Sequence, residues 1–145
     1  PQFADLSIKL IDNDARSALI AADAALIKSG TSTLEAMLLG RPMVVSYKLG
    51  AFSYALASRL VNTPYIALPN ILAGAELVPE LIQEAATPAA LAQALMLEIG
   101  EQRTANDRRA AFTELHEQLR GGASGLGASA AAAQEIFKLL EARKG

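Results

Sequence analysis

A short polar turn holds the residues of this chain that are best suited to bind an anion. It consists of Ser29, Gly30, Thr31 and Ser32, after an apolar strand pattern at 25–28 and before a helical pattern. That order places backbone N–H groups and the positive end of a helix dipole at the carboxyl edge of a sheet, where phosphates bind. Glycine also lets the main chain approach a phosphate closely. We interpret the turn as the seat of a nucleotide diphosphate, with an ordinary helix-capping turn as the alternative.

Glu35 follows this turn within the helical pattern and permits two interpretations. Its spacing from Ser32 matches a capping box, in which the glutamate carboxylate accepts a hydrogen bond from the Ser32 backbone N–H. Alternatively, the two carboxylate oxygens accept hydrogen bonds from the two hydroxyls of a ribose. The spacing itself favours the cap, and the ribose role makes Glu35 a site residue.

Asn70 is a further candidate for ligand contact. It follows Pro69 at the end of a strand pattern over 65–68. Ligands of open α/β sheets lie beyond the carboxyl ends of the strands, and an amide can both donate to and accept from sugar hydroxyls. We therefore expect Asn70 to contact a sugar, with a plain turn residue as the alternative.

The composition excludes several kinds of chemistry. Cysteine is absent and His116 is the only histidine, so thiol catalysis and a Cys/His metal site are ruled out. His116 also lacks a neighbouring serine or carboxylate constellation in the sequence. We predict no metal and no cofactor.

The composition also indicates one folded domain. The 145 residues are 52% hydrophobic and the formal net charge is −2. No basic stripe interleaved with aromatic residues occurs, which disfavours nucleic-acid binding. No apolar run reaches the length of a membrane span, so we expect a cytoplasmic protein that can touch a membrane surface. The chain opens at Pro1 without an initiator methionine, which suggests a processed product or a piece of a longer protein.

Strand and helix patterns alternate in the first half of the chain. Strand patterns occupy 6–11, 25–28, 43–47 and 65–68. Helical patterns lie between them at 15–22, 32–39 and 51–61. Alternation with short connections predicts an α/β fold with a Rossmann-like parallel sheet of about four strands and flanking helices. Right-handed crossovers bring the loops that follow the strands to one edge.

The second half is predicted to be helical. The helical patterns cover 76–84, 88–99, 101–120 and 129–143. A glycine-rich stretch from Gly121 to Gly127 precedes the last of them and predicts a flexible break. We divide the chain into a partial nucleotide-sugar-binding domain over 1–120 and a segment over 121–145 that holds the break and a C-terminal helix.

Three segments of the chain, in order, resemble the lipid-A-disaccharide synthases of glycosyltransferase family 19. They are the turn from Ser29 with Glu35, the run Arg41-Pro42-Met43-Val44-Val45-Ser46-Tyr47, and the run Leu68-Pro69-Asn70-Ile71-Leu72-Ala73-Gly74 with the residues up to Leu81. The last run is the most distinctive. The resemblance extends from about Leu6 to Arg120 and concerns the C-terminal part of that family only.

This resemblance implies a GT-B glycosyltransferase with two Rossmann-like domains and a cleft between them. The family transfers a 2,3-diacylglucosamine unit from UDP-2,3-diacylglucosamine to 2,3-diacylglucosamine 1-phosphate in the biosynthesis of lipid A. It acts at the cytoplasmic face of the inner membrane of Gram-negative bacteria, as a peripheral enzyme and without a metal or other cofactor. The family also implies contact with the inner-membrane surface. In the complete enzyme we expect the C-terminal tail to cross back to the other domain or to a second subunit, the latter as a homodimer through the C-terminal helices.

The resemblance also implies roles for individual residues. The diphosphate would be held by Ser29, Gly30, Thr31 and Ser32. Glu35 would hold the ribose and Asn70 would lie near the reacting sugar. The catalytic base would belong to the missing N-terminal domain, so the isolated chain would be inactive.

The chain departs from the family pattern at one position, and two other assignments of the chain are open. Ala75 stands where the family usually has arginine, which removes a cation that could bind an anionic substrate. Half of another GT-B glycosyltransferase or of a UDP-sugar epimerase is one alternative assignment. A non-enzymatic helical interaction module built on the C-terminal helix is the other.

Overall fold

The computed structural model describes residues 6–49, 64–100, 102–120 and 127–143. The strands are β1 (Ala25–Lys28), β2 (Met43–Tyr47) and β3 (Glu80–Ile82). The helices are α1 (Ala15–Ala21), α2 (Thr31–Leu38), α3 (Leu68–Ala73), α4 (Pro88–Gly100), α5 (Gln102–Leu119) and α6 (Ala128–Ala142), and a 3-10 turn covers Gln83–Ala85.

The three strands form a parallel sheet in the order β1-β2-β3. In the register, Ala25 lies opposite Met43, and Val45 lies opposite Glu80. The central strand β2 begins with three residues that are completely buried, as expected of a parallel strand covered on both faces. The predicted α/β class with a parallel sheet is therefore confirmed, with three strands in the part of the chain that the structure describes.

The helices next to the site begin and end where local side-chain chemistry requires it. The Asp14 carboxylate caps α1 by accepting a hydrogen bond from the Ser17 N–H at 3.1 Å, as the sequence predicts. Gly40 follows α2 with φ of 64°, and its N–H donates to the Met37 carbonyl at 2.9 Å. This left-handed conformation favours glycine and turns the chain directly into β2.

The hydrophobic core lies between the sheet and the helices that pack on it. Helix α2 packs against β1 and β2, as does α4, while α5 packs against α2 and α3. The buried members are Ile27, Ala36, Met37, Met43, Val45, Ala67, Val78, Phe112 and Leu115. This packing fixes α2, and with it the turn that precedes α2, against the sheet.

Two of the predicted strands are wrong. Residues 6–11 form neither strand nor helix, and the Leu10 side chain is 91% exposed. Alternating apolar residues become a strand only when a neighbouring strand pairs with them, and no described strand does so. Residues 65–68 are not a strand either, because Leu68 already begins α3, with Pro69 at a position that favours a helix start.

The predicted helix at 76–84 is also wrong, because this segment provides the third strand. The Pro79 carbonyl accepts a hydrogen bond from the Val45 N–H at 2.8 Å, which joins Glu80–Ile82 to β2. A proline disfavours a helix through this point, since it lacks an N–H group and restricts the residue before it. The helices predicted at 15–22, 32–39, 88–99, 101–120 and 129–143 are confirmed with shifts of one or two residues. The helix predicted at 51–61 and most of the glycine-rich break lie outside the described residues.

Candidate functional site

The turn at 29–32 lies at the carboxyl edge of the sheet and is open to solvent. The Ser29 N–H donates to the Ser46 carbonyl at 3.2 Å, which continues the β1–β2 pairing by one residue. Gly30 then adopts φ of 150° and ψ of −166°, and a Cβ atom built there would have no neighbour within 4 Å. Thr31 and Ser32 are exposed. A ligand can therefore approach the main chain of this turn directly.

The first turn of α2 offers hydrogen-bond donors to such a ligand. Gly30 is the N-cap and has no side chain, so no side-chain cap bond is made. Thr33 is directed inward, and its N–H and hydroxyl both donate to the Gly30 carbonyl, at 3.1 and 2.7 Å. The N–H groups of Thr31 and Ser32 have no intrahelical acceptor, as at every helix start. They and the helix dipole favour an anion at this point.

Lys28 adds a positive charge at the same edge of the sheet. It is the last residue of β1, directly before the turn, and its Nζ lies 5.7 Å from the centroid of the Tyr47 ring at the end of β2. This separation corresponds to a cation–π contact, which holds the exposed ammonium group near the turn. Sequence reasoning did not select Lys28, because only the sheet brings the ends of β1 and β2 together.

The structure tests one of the two interpretations of Glu35, the capping box. Because α2 begins at Thr31 with Gly30 as the cap, Ser32 lies inside the helix and cannot be the N-cap residue of a capping box. That interpretation is wrong. The Glu35 side chain is exposed. It lies one helical turn from Thr31, on the same face of α2.

A cleft of about 350 Å³ lies beside this face of α2. Its walls are formed by Arg16, Glu35, Leu38, Leu39 and His116. The side chains come from α1, α2 and α5, and they combine a carboxylate, a guanidinium and an imidazole with an apolar wall. Arg16 was missed by sequence reasoning and His116 was assigned no role, since the packing of three helices is what brings them to Glu35.

Asn70 lies in the interior rather than on the rim. Its side chain is completely buried within α3. Its Nδ2 donates to the Val78 carbonyl at 2.9 Å and to Glu80 Oε1 at 2.8 Å. Its Oδ1 accepts from the N–H groups of Leu77 and Val78, at 2.8 and 2.9 Å. The amide thus connects α3 to the segment before β3, and its contact with a sugar stays a prediction.

No group of three or more histidine, cysteine, aspartate or glutamate side chains is arranged to hold a metal ion in the part of the chain that the structure describes. Among the helices that the structure describes, none has both the length and the apolarity needed to cross a membrane.

The sheet and the flanking helices define a partial Rossmann-like α/β domain, with an open strand-to-helix turn at the carboxyl edge of the sheet. The family model described as lipid-A-disaccharide synthetase matches residues 2–133. The chain therefore belongs to the lipid-A-disaccharide synthase family of glycosyltransferases, which acts in lipid A biosynthesis. This agrees with the resemblance carried by the turn and by the run from Leu68 to Gly74.

Individual relatives support this membership. The chain is 55% identical over 117 residues to the lipid-A-disaccharide synthase of Sodalis glossinidius, a match that covers 79% of this chain and 30% of that protein. The corresponding enzyme of Saccharophagus degradans is 45% identical over 143 residues, with coverage of 99% of this chain and 36% of that protein. That of Azotobacter vinelandii is 48% identical over 139 residues, with coverage of 94% and 34%. The chain thus spans about a third of the length of these relatives.

Proposed function

We propose that this chain is the donor-binding part of a lipid-A-disaccharide synthase and binds the UDP portion of a nucleotide sugar. The proposal is carried by one observation, the open turn at Gly30 whose main chain and helix start face solvent at the carboxyl edge of the sheet. Family membership supplies the class of ligand. Residues 1–120 then form the nucleotide-sugar-binding unit, and 121–145 form a separate C-terminal segment.

The diphosphate is held by the main chain of the turn. The N–H groups at the start of α2 donate to the phosphate oxygens, the Thr31 and Ser32 hydroxyls add further donors, and Lys28 supplies a nearby positive charge. During transfer, negative charge grows on the departing diphosphate. Donors fixed in advance by a rigid helix start stabilise that charge without reorganising.

The nucleoside is held along α2. Glu35 lies one turn beyond Thr31, so a ribose attached to a diphosphate at the turn can place its two hydroxyls against the carboxylate. The cleft beside Glu35, with its volume of about 350 Å³, falls within the range of small-molecule sites. Arg16 and His116 lie on its polar walls.

The activity of the whole enzyme follows from the family. The donor is UDP-2,3-diacylglucosamine, the acceptor is 2,3-diacylglucosamine 1-phosphate, and the product is the disaccharide precursor of lipid A. The acceptor site and the catalytic base belong to the part of the enzyme outside this chain, so the isolated chain is inactive. The enzyme works on the cytoplasmic side at the surface of the inner membrane, where its acylated substrates lie.

The C-terminal helix is the proposed dimer contact. Its exposed apolar side chains are Ile136, Phe137, Leu139 and Leu140. An apolar surface of this kind on a helix is typical of a protein contact. We assign it to a homodimer, in keeping with the resemblance described above.

Isothermal titration of the purified chain with UDP, UMP and uridine tests the donor site. We expect UDP to bind most tightly, UMP more weakly because it lacks one phosphate, and uridine most weakly. Equal affinities for the three compounds, or no binding of UDP, would refute a diphosphate seat at this turn.

A further inference from the structure

The Glu80 carboxylate is a polar junction beneath the proposed site. It lies at the start of β3 and is partly buried. The Ile66 N–H donates to both of its oxygens, at 2.9 Å to Oε2 and 3.2 Å to Oε1. Its Oε1 also accepts from the Ala67 N–H at 2.9 Å and from Asn70 Nδ2 at 2.8 Å. The ion pairs among the described residues join Arg108 to Glu98 and Lys138 to Glu135, so the donors to Glu80 within this part of the chain are neutral.

One of these donor residues, Ile66, is also hydrogen-bonded to the turn. The Ile66 carbonyl accepts a hydrogen bond from the Ser29 hydroxyl at 2.9 Å. Ile66 is therefore held on one side by Glu80 and on the other by the first residue of the turn. Ser29 is only one residue from Gly30, so a displacement of Ile66 is transmitted to the main chain that faces the ligand.

We infer that Glu80 is a positioning residue that fixes the turn at 29–32 through Ile66 and Ser29. This inference deepens the proposed function and rests on it for the effect on nucleotide binding. Glu80 does not contact the ligand in this arrangement. It fixes the Ile66 carbonyl, which accepts the hydrogen bond from the Ser29 hydroxyl. It thereby fixes the position of the N–H groups that the diphosphate meets.

The chemistry requires a carboxylate at this position. Three donors converge on Glu80, and Oε1 meets all of them, which exceeds the two lone pairs of one oxygen. The second oxygen is therefore needed for the shorter bond from the Ile66 N–H. In Glu80→Gln with Oε1 kept as the amide oxygen, the new NH₂ group faces the Ile66 N–H, and only the 3.2 Å contact to oxygen remains there. The link from Ile66 to Ser29 is then the part that is weakened.

The test compares Glu80→Gln with the unmodified chain by amide hydrogen exchange and by UDP titration. In the ligand-free variant we expect faster exchange at Ser29, Thr33 and Ile66, whose N–H groups are hydrogen-bonded in the unmodified chain, because the turn has lost its anchor. We expect UDP to bind about tenfold more weakly, the loss that corresponds to one hydrogen bond to a charged group. Unchanged exchange at the turn would overturn the inference.

Glu98→Gln is the matched control. Glu98 is also a largely buried carboxylate, and its ion-pair partner Arg108 lies with Gly40 and Pro42 near the amino end of β2, opposite to the turn. We expect this variant to lower the unfolding temperature without accelerating exchange at Ser29 or Thr33. If both variants disturb the turn equally, the effect of Glu80 is general destabilisation and the inference is wrong.

Ser29→Ala completes a double-mutant cycle. If Glu80 acts through Ser29, the double variant should bind UDP about tenfold more weakly than the unmodified chain, as each single variant does. Losses that multiply to about a hundredfold would show independent roles and contradict the inference. If Glu80→Gln does not fold, amide exchange at Ile66 and Ala67 in Ser29→Ala tests the inference instead. An unchanged exchange rate at these two residues would show that Ser29 and Glu80 are not linked, and would contradict the inference.

The outcomes separate the two proposals. If UDP does not bind the unmodified chain while Glu80→Gln still accelerates exchange at Ser29 and Thr33, the donor site fails and the positioning role of Glu80 stands. If UDP binds the unmodified chain and Glu80→Gln equally, with unchanged exchange at the turn, the donor site stands and Glu80 has no positioning role.

Discussion

Gly30 is the residue on which the geometry of the proposed anion seat depends most. Its φ of 150° lies in a region that residues with a Cβ atom rarely adopt, even though a Cβ atom would meet open space there. The requirement for glycine is thus a property of the backbone and not of packing. It also keeps the approach to the N–H groups of α2 unobstructed.

Gly30→Ala should therefore shift the turn away from its present conformation. We expect about 1–3 kcal/mol of destabilisation and about tenfold weaker UDP binding, measured by chemical denaturation and titration calorimetry. Gly127→Ala is the control, because Gly127 also precedes a helix in open space but has φ of −61°. Equal effects of the two substitutions on UDP affinity would contradict a special role for Gly30.

Glu35 is expected to recognise the ribose. Glu35→Gln should weaken UDP binding about tenfold, because a carboxylate accepts two hydroxyl donors and an amide accepts with one oxygen only. The same variant should no longer distinguish UDP from 2′-deoxy-UDP, which the unmodified chain should bind more weakly than UDP. Glu117→Gln, an exposed change on α5, serves as the control. A variant at Glu35 that still discriminates between the two nucleotides would argue against the ribose contact.

Among the elements, α1 depends on its cap and should show this in its response to pH. Hydrogen bonds from Ser17 lower the pKa of the Asp14 carboxyl below its ordinary value. A carboxyl whose pKa is lowered by folding stabilises the folded state above its unfolded pKa and loses that contribution as pH falls through the folded pKa. Asp14→Ala should thus lower the unfolding temperature at neutral pH but make little difference near pH 2. An equal loss at both pH values would contradict the capping role.

Helix α3 and β3 are joined by Asn70, whose four hydrogen bonds lie in the interior. Asn70→Ala would leave the N–H groups of Leu77 and Val78 and the Val78 carbonyl without their partner. We expect a loss of about 3 kcal/mol in the free energy of unfolding, measured by denaturant titration. Gln134→Ala on the exposed face of α6 should change it little. Full stability of Asn70→Ala would show that the buried bonds are dispensable.

The elements differ in how well the sequence predicts them. The helices α4 and α6 and the strand β2 were predicted because each segment contains its own signal. In the helices this signal is a helical period of apolar residues, and in β2 it is an apolar run. β3 was missed because only three residues pair, and the first of them is the charged Glu80. Its charge is satisfied by Ile66, Ala67 and Asn70, and this partnership arises from tertiary packing.

The candidate site shows the same division. The turn with Gly30 was predicted because strand, turn and helix signals are consecutive in the sequence. The cleft beside Glu35 was not, because Arg16 and His116 reach it from separate helices. The structural position of Asn70 was also missed. A residue after a predicted strand was expected on the rim, whereas α3 begins at Leu68 and contains Asn70.

At the scale of the whole molecule, the chain corresponds to about a third of its relatives, 30% to 36% of their lengths. This part carries the turn, the cleft and the Glu80 junction in one packed unit. In the proposed enzyme it supplies the donor half of the cleft, and the remainder supplies the acceptor half. Binding of the nucleotide and transfer of the sugar are therefore separable properties.

The most direct test of the central claim is an NMR titration of the isotope-labelled chain with UDP. The account predicts that the largest amide shifts occur at Gly30, Thr31 and Ser32, with a smaller shift at Glu35 and little change in α6. Saturable shifts confined to α6, or none at the turn at saturating UDP, would contradict a diphosphate seat at the start of α2.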